Sequence, residues 1–150
     1  MVIFLTSSPT GPLDGSRQVD GLDKKNHFVD ELKKYWKNNS RCCIIAANPD
    51  AYKQNDDMCD FFREVFLKEG LSLQCFDLID KRYSNFTRDD LQQYDVIILG
   101  GGHVPTQNQF FQDIQLREKI EDFQGIVIGI SAGSMNCADI VYCQPEEEGE

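Results

Sequence analysis

Short apolar runs separated by amphipathic stretches limit this chain to one fold class. VIFL (2–5), CCIIAA (42–47), DVIILG (95–100) and IVIGI (126–130) are rich in β-branched residues, and LSLQCFDL (71–78) is a fifth run with looser alternation. Apolar runs of four to eight residues bounded by turn signals read as strands buried on both faces. Between them the periodicity is helical. Phe28, Leu32, Tyr35 and Trp36 fall on one face of NHFVDELKKYWKN. Met58, Phe61, Phe62, Val65 and Phe66 do the same in MCDFFREVFLKEG, and Gly70 should stop that helix. A third helix is expected over QNQFFQDIQLREKIEDF, through Phe110, Phe111, Ile114 and Ile120. Strand–helix–strand alternation predicts an α/β three-layer sandwich, a mainly parallel sheet with helices on both faces. Right-handed crossovers then narrow the topology.

A chain of 150 residues fits a single α/β domain, residues 1–150, and can hide roughly 70% of its unfolded surface. Its net charge of −10 argues against nucleic acid or an anionic membrane as partner. No segment approaches the roughly 18 apolar residues of a membrane span. The start, MVIFLTSSP, lacks the basic region of a signal peptide. The six cysteines (Cys42, Cys43, Cys59, Cys75, Cys137, Cys143) form no zinc pattern and read as free, mostly buried thiols, as expected in a reducing compartment. The sum is a cytoplasmic protein. The acidic residues are scattered and the two histidines are not at ligand spacing, so neither a metal nor another cofactor is expected.

In parallel sheets ligands bind beyond the carboxyl ends of the strands. That rule selects the loops TSSPTGPLDG, GGGHVPTQN and SAGS. GISAG (129–133) fits the nucleophile elbow G-x-S-x-G. Such a turn holds Ser131 in a strained conformation with its hydroxyl out of the sheet. Crowding there demands small neighbours, here Gly129, Ala132 and Gly133. A helix over SMNCADIVYC would aim its N-terminal dipole at a developing oxyanion. The plainer alternative is that Ser131 only N-caps that helix. Upstream, Gly100, Gly101 and Gly102 at a strand end would let backbone N–H groups approach a ligand or line an oxyanion hole, although a phosphate loop (without the P-loop's Lys-Ser/Thr pair) or a tight turn explains them equally well.

Together, LGGGHVPTQNQFF and GIVIGISAGSMNCADIVY resemble the serine peptidases that include aspartyl dipeptidase (peptidase E) and cyanophycinase, which share the class I glutamine amidotransferase-like (flavodoxin-like) fold. The resemblance implies a peptidase that cleaves small peptides beside an acidic residue. It implies Ser131 as nucleophile, with Gly100, Gly101, Gly102, His103 and Ala132 at the oxyanion or substrate. It also implies an acidic triad member about fifteen residues after the nucleophile. Glu146 stands there, with Glu147 and Glu148 as alternatives and a solvated acidic tail as the plainer reading.

The family's general base is a histidine beyond that acidic residue, whereas PEEEGE closes the sequence without finishing a strand or helix. The 150 residues therefore read as the N-terminal part of a longer domain lacking its last strands. His27 is expected to be exposed, and His103 to touch substrate or shape its loop rather than serve as base. Without a base only the roughly 10³–10⁴-fold supplied by oxyanion hole and binding remains, so the chain as given should be a poor peptidase. An open sheet edge would favour a homodimer. An acidic substrate needs a cation, for which Arg17, Arg82 and the expected C-terminal part of the longer domain are candidates. The competing readings are a degenerate binding or regulatory module of the same fold, an amidotransferase-like glutaminase (disfavoured by serine at the elbow) and an esterase-type hydrolase.

Overall fold

All five apolar runs form strands: β1 (Val2–Thr6), β2 (Ser40–Ile45), β3 (Leu73–Ile79), β4 (Val96–Leu99) and β5 (Ile126–Ile130). They make one parallel sheet in the order β1-β5-β4-β2-β3. The structure, a computed structural model, describes residues 1–10 and 21–144. Every residue of β4 and β5 is buried, which is why their sequences show no polar alternation. Counted from β2, the strands follow the 2-1-3-4 order of a flavodoxin-like doubly wound sheet, with β1 added outside β5. The chain reverses its direction of travel across the sheet between β2 and β4.

Alternate residues of the strands feed two cores. On one face, α1 (Phe28–Tyr35) and α2 (Tyr52–Lys68) bury Val29, Leu32, Phe62 and Phe66 against Cys42, Ile44, Val96, Ile98, Ile126 and Ile128. On the other, α3 (Arg88–Gln92), α4 (Val104–Asp113) and α5 (Leu116–Ile120) bury Leu91, Phe110, Ile114 and Leu116 against Cys43, Ile45, Ile97, Leu99 and Val127. The expected three-layer α/β architecture is present.

Helix boundaries differ from the periodicity in instructive ways. α2 ends as expected: Gly70 takes a positive φ of 76°, its N–H donates to Leu67 and that of Leu71 to Phe66, a Schellman closure. It starts six residues before Met58, in a polar first turn that apolar spacing does not flag. The expected third helix is two helices. Leu116 lies about 200° around a continuous helix from Ile114, so one straight helix could not bury both. A left-handed Gln115 (φ 52°) breaks the helix and both are buried. α3 was not signalled by apolar period. Its mark is polar, a capping box in which Thr87 and Asp90 exchange hydrogen bonds. Tyr35, expected on the apolar face of α1, is half exposed.

At the β1 edge, Phe4 packs inward on Phe28 and Tyr35, while Ile3 and Leu5 are exposed. Cys42, Cys43 and Cys59 are buried, and burial pushes their thiols up, as expected for inert core cysteines. Cys75 is half-buried, Cys137 and Cys143 are exposed, and all six are free.

Phe66 joins the layers, with its ring 5.5 Å from Trp36, 6.3 Å from Phe62 and 5.7 Å from Phe76. Phe66→Ala should lower stability by about 3–5 kcal/mol. Urea unfolding followed through Trp36, the one tryptophan of the chain, measures this directly.

Candidate active site

β5 runs buried to Ile130 and the chain then turns sharply into α6 (Ala132–Met135). At the turn Ser131 has φ 49° and ψ −111°. Asn26, His27 and Gln115 also have positive φ, but with ψ between 18° and 44° they sit in the ordinary left-handed region. Ser131 lies outside it, in a conformation costing of order 1–3 kcal/mol. The surroundings hold it there. Its N–H donates to the Thr6 carbonyl at 2.8 Å, and its own carbonyl accepts from the N–H groups of Ser134 and Met135. The Ser134 hydroxyl donates to the Thr6 carbonyl (2.8 Å) and accepts from the Thr6 N–H (3.0 Å), fastening α6 to the end of β1.

The glycines of the elbow are there for space. A Cβ on Gly129 would come within 2.8 Å of the Ser134 Cα, and one on Gly133 within 2.2 Å of the Leu99 carbonyl oxygen. The small residues let β5, α6 and β4 close on one another. Ser131 occupies the N-cap position of α6, yet its side chain makes no capping hydrogen bond and is exposed. The hydroxyl is not spent on the helix.

Beside it lies the glycine loop. Gly100 continues the ladder by donating to the Ile45 carbonyl at 2.9 Å. A Cβ on Gly101 would stand 3.5 Å from the Ser131 Cβ and 3.4 Å from the Ile130 carbonyl oxygen, and one on Gly102 would strike Ala47 at 2.6 Å. Thus Gly101 abuts the elbow and Gly102 abuts the end of β2, at the reversal between β2 and β4. Among the described residues, no hydrogen bond is donated by the N–H groups of Gly101, Gly102 or Ala132. The sequence model of peptidase family S51 matches residues 13–144. The chain belongs to this family. A search of curated proteins finds no match.

Membership in S51, the family of aspartyl dipeptidase and cyanophycinase, makes the chain a hydrolase of the peptidase class. The other expected site residues fare unevenly. His103 stands at the N-cap of α4 with its Nδ1 2.8 Å from the Thr106 hydroxyl, so one ring nitrogen is engaged locally. His27 is exposed and 3.8 Å from Asp30, as expected. Glu146 and its neighbours Glu147 and Glu148 lie outside the described residues, as does Arg17. Of the helix expected over 134–143, only Ser134 and Met135 are helical, as the end of the four-residue α6. Ile140 and Tyr142 beyond it are almost fully exposed, so that segment has no apolar face to bury. A helix this short supplies local N–H donors rather than the expected dipole.

Arg82 is corrected as a substrate cation. Its guanidinium donates to Asp80 (2.8 Å) and Asp56 (2.7 Å), and it lies over the rings of Tyr52 and Tyr83. Two carboxylates neutralise it, and its work is to join β3 to α2. Burial pushes the Asp80 carboxyl up, but hydrogen bonds from the Arg82 side chain and backbone and from Asn55 outweigh this and hold it below the ordinary range. Sequence reasoning missed Gln107, which is fully buried and bonded to the glycine loop. Its only signal is a polar residue facing the core side of a helix. Among the described residues, no group of three His, Cys, Asp or Glu side chains could hold a metal ion, and no helix is long and apolar enough to cross a membrane.

Two outcomes are expected. Gly133→Ala forces a Cβ against the Leu99 carbonyl and should cost about 1–3 kcal/mol, read as a lower urea midpoint. Because the Asp80 pKa is depressed, its stabilisation is complete above the unfolded carboxylate value of ~3.9 and drains as pH falls through the lower folded value. The stability gap between wild type and Arg82→Ala should therefore be widest near neutrality and shrink toward pH ~3. Urea midpoints across that range test it, and a gap constant with pH would refute it.

Proposed function

We propose that the protein is a serine peptidase that hydrolyses short peptides beside an acidic residue, with Ser131 as nucleophile. One observation carries the reading: an exposed serine hydroxyl, unused by its helix, on a backbone strained at the end of a buried strand and abutted by a glycine loop. Strain of this kind persists only where packing over-determines it, and it gathers at active sites.

In this reading the Ser131 Oγ attacks the scissile carbonyl as a base takes its proton. The carbonyl oxygen becomes an oxyanion that accepts hydrogen bonds from the N–H of Ala132 and those of the glycine loop, Gly101 and Gly102. Collapse expels the amine, protonated by the same base, and leaves an acyl-serine that water hydrolyses. Donors already in place need no reorganisation as the charge forms, and one such donor is worth about 10²–10³ in kcat. Family resemblance assigns the base to a histidine beyond an acidic partner, Glu146 in this numbering, and neither His27 nor His103 occupies such a position. The resemblance likewise supports the acidic substrate. With Arg82 neutralised, Arg17 is the remaining cation among those named from the sequence. His103, at the mouth of the loop, is a substrate contact in this reading.

The test uses the protein as its host produces it, with aspartyl dipeptides as substrates. Ser131→Ala should cut hydrolysis by about 10³-fold or more while leaving the unfolding midpoint near that of wild type. A variant as active as wild type would remove Ser131 from the mechanism.

A further inference from the structure

Gln107 lies on α4 with no solvent exposure, in a core position where an apolar side chain would ordinarily pack. A buried amide is tolerated only when its hydrogen bonds are made. Here both ends are used. The Nε2 donates to the Gly100 carbonyl at 2.7 Å, and the Oε1 accepts from the Asn136 Nδ2 at 2.9 Å. Asn136 is the C-cap of α6, the helix that begins one residue after Ser131. The same Asn136 nitrogen also donates to the Val104 carbonyl (3.2 Å), and its oxygen accepts from the Asn108 amide (3.4 Å). A short polar chain thus runs from the glycine loop through α4 to the far end of the elbow helix.

The direction of these bonds carries the consequence. The peptide joining Gly100 to Gly101 is planar and trans, so its C=O and N–H point in opposite directions. Holding the Gly100 carbonyl toward α4 therefore turns the Gly101 N–H away from α4. With glycine on both sides, nothing in the local backbone opposes a rotation of this unit, since neither residue carries a Cβ. Gln107 supplies the restraint. Asn136 in turn sets which way round the Gln107 amide sits: its NH₂ group must face an oxygen, which leaves the Gln107 NH₂ for Gly100. Reversing the Gln107 amide would set two oxygens against each other at Gly100 and two NH₂ groups against each other at Asn136.

We propose that Gln107 is a positioning residue for hydrolysis: held in one orientation by Asn136, it fixes the 100–101 peptide so that the Gly101 N–H is presented as an oxyanion donor. The inference rests on the reading of Ser131 as nucleophile and deepens it. Gln107 touches no substrate. Its effect belongs to the transition state, because substrate binding does not require the oxyanion donor to be set, whereas the charged intermediate does.

The experiment compares wild type, Gln107→Met, Gln107→Glu and Ser131→Ala on aspartyl dipeptides, with kcat and KM separated and the unfolding midpoint of each recorded. It is accompanied by amide spectra of ¹⁵N-glycine-labelled wild type and Gln107→Met. Methionine keeps the length and removes the donor. In folded Gln107→Met, kcat should fall by about 10²–10³-fold, the loss typical of one oxyanion donor, with KM within about threefold of wild type. The Gly101 amide signal, single in wild type, should broaden or double. Should Gln107→Met not fold, Gln107→Glu decides: a protonated carboxyl can donate to Gly100 and a carboxylate cannot. The kcat profile should then gain an ionisation absent from wild type, with activity lost as pH rises through it. A kcat within about twofold of wild type in folded Gln107→Met, a change carried wholly by KM, or an unaltered pH profile in Gln107→Glu would overturn the inference. Absence of Ser131-dependent hydrolysis in wild type would sink the nucleophile reading instead. The glycine spectra would then decide the positioning alone, an unchanged Gly101 signal overturning it and a doubled one sustaining it.

Discussion

A serine held at φ 49° and ψ −111° relaxes unless something prevents it, and what prevents it here organises the whole carboxyl edge of the sheet. The restraint comes from two sides. From β1, Thr6 accepts the Ser131 N–H and exchanges two hydrogen bonds with Ser134. From β4, the Leu99 carbonyl lies so close to Gly133 that no side chain fits between them. β1 is an edge strand, distant in sequence from the elbow, so the strain is maintained by the tertiary fold rather than by the turn itself. That is why a four-residue helix can follow Ser131 without the length that helices ordinarily need to be stable.

Two buried polar groups near the strand ends show opposite uses of the same physics. Asp80 is fully buried, and its charge is matched by Arg82, Asn55 and a backbone N–H; the result is a join between β3 and α2, with the cation consumed. Gln107 is equally buried and neutral, and its two bonds connect the glycine loop to the end of α6. A carboxylate–guanidinium pair is the stronger tie, but an amide has distinguishable ends, so it can set direction as well as distance. Arg82 is thus occupied by its two carboxylates in holding β3 to α2.

Local chemistry was legible wherever one residue type decides one geometry. The β-branched runs became strands, Gly70 closed α2, and G-x-S-x-G became a strained strand-to-helix turn, because each depends on neighbours within a few residues. What failed depended on remote partners. The expected third helix broke at Gln115 because burying both Ile114 and Leu116 requires a turn that periodicity cannot express. Arg82 looked available in the sequence because Asp56, one of its two partners, lies 26 residues away on another element. The helix over 134–143 ended at Asn136, whose side chain is drawn into the bonds with Gln107 and Val104.

The sequence by itself determined the class of fold, the family and the serine at the elbow, since apolar spacing and the small residues around Ser131 are local constraints that few structures satisfy. Only the tertiary structure decided that the Ser131 hydroxyl is not a cap, that the glycine loop abuts it, and that Gln107 ties the two together. Those are distances between segments tens of residues apart, set by how β4 and β5 pair and how α4 and α6 meet above them. No spacing along one chain encodes such a distance until the sheet is closed.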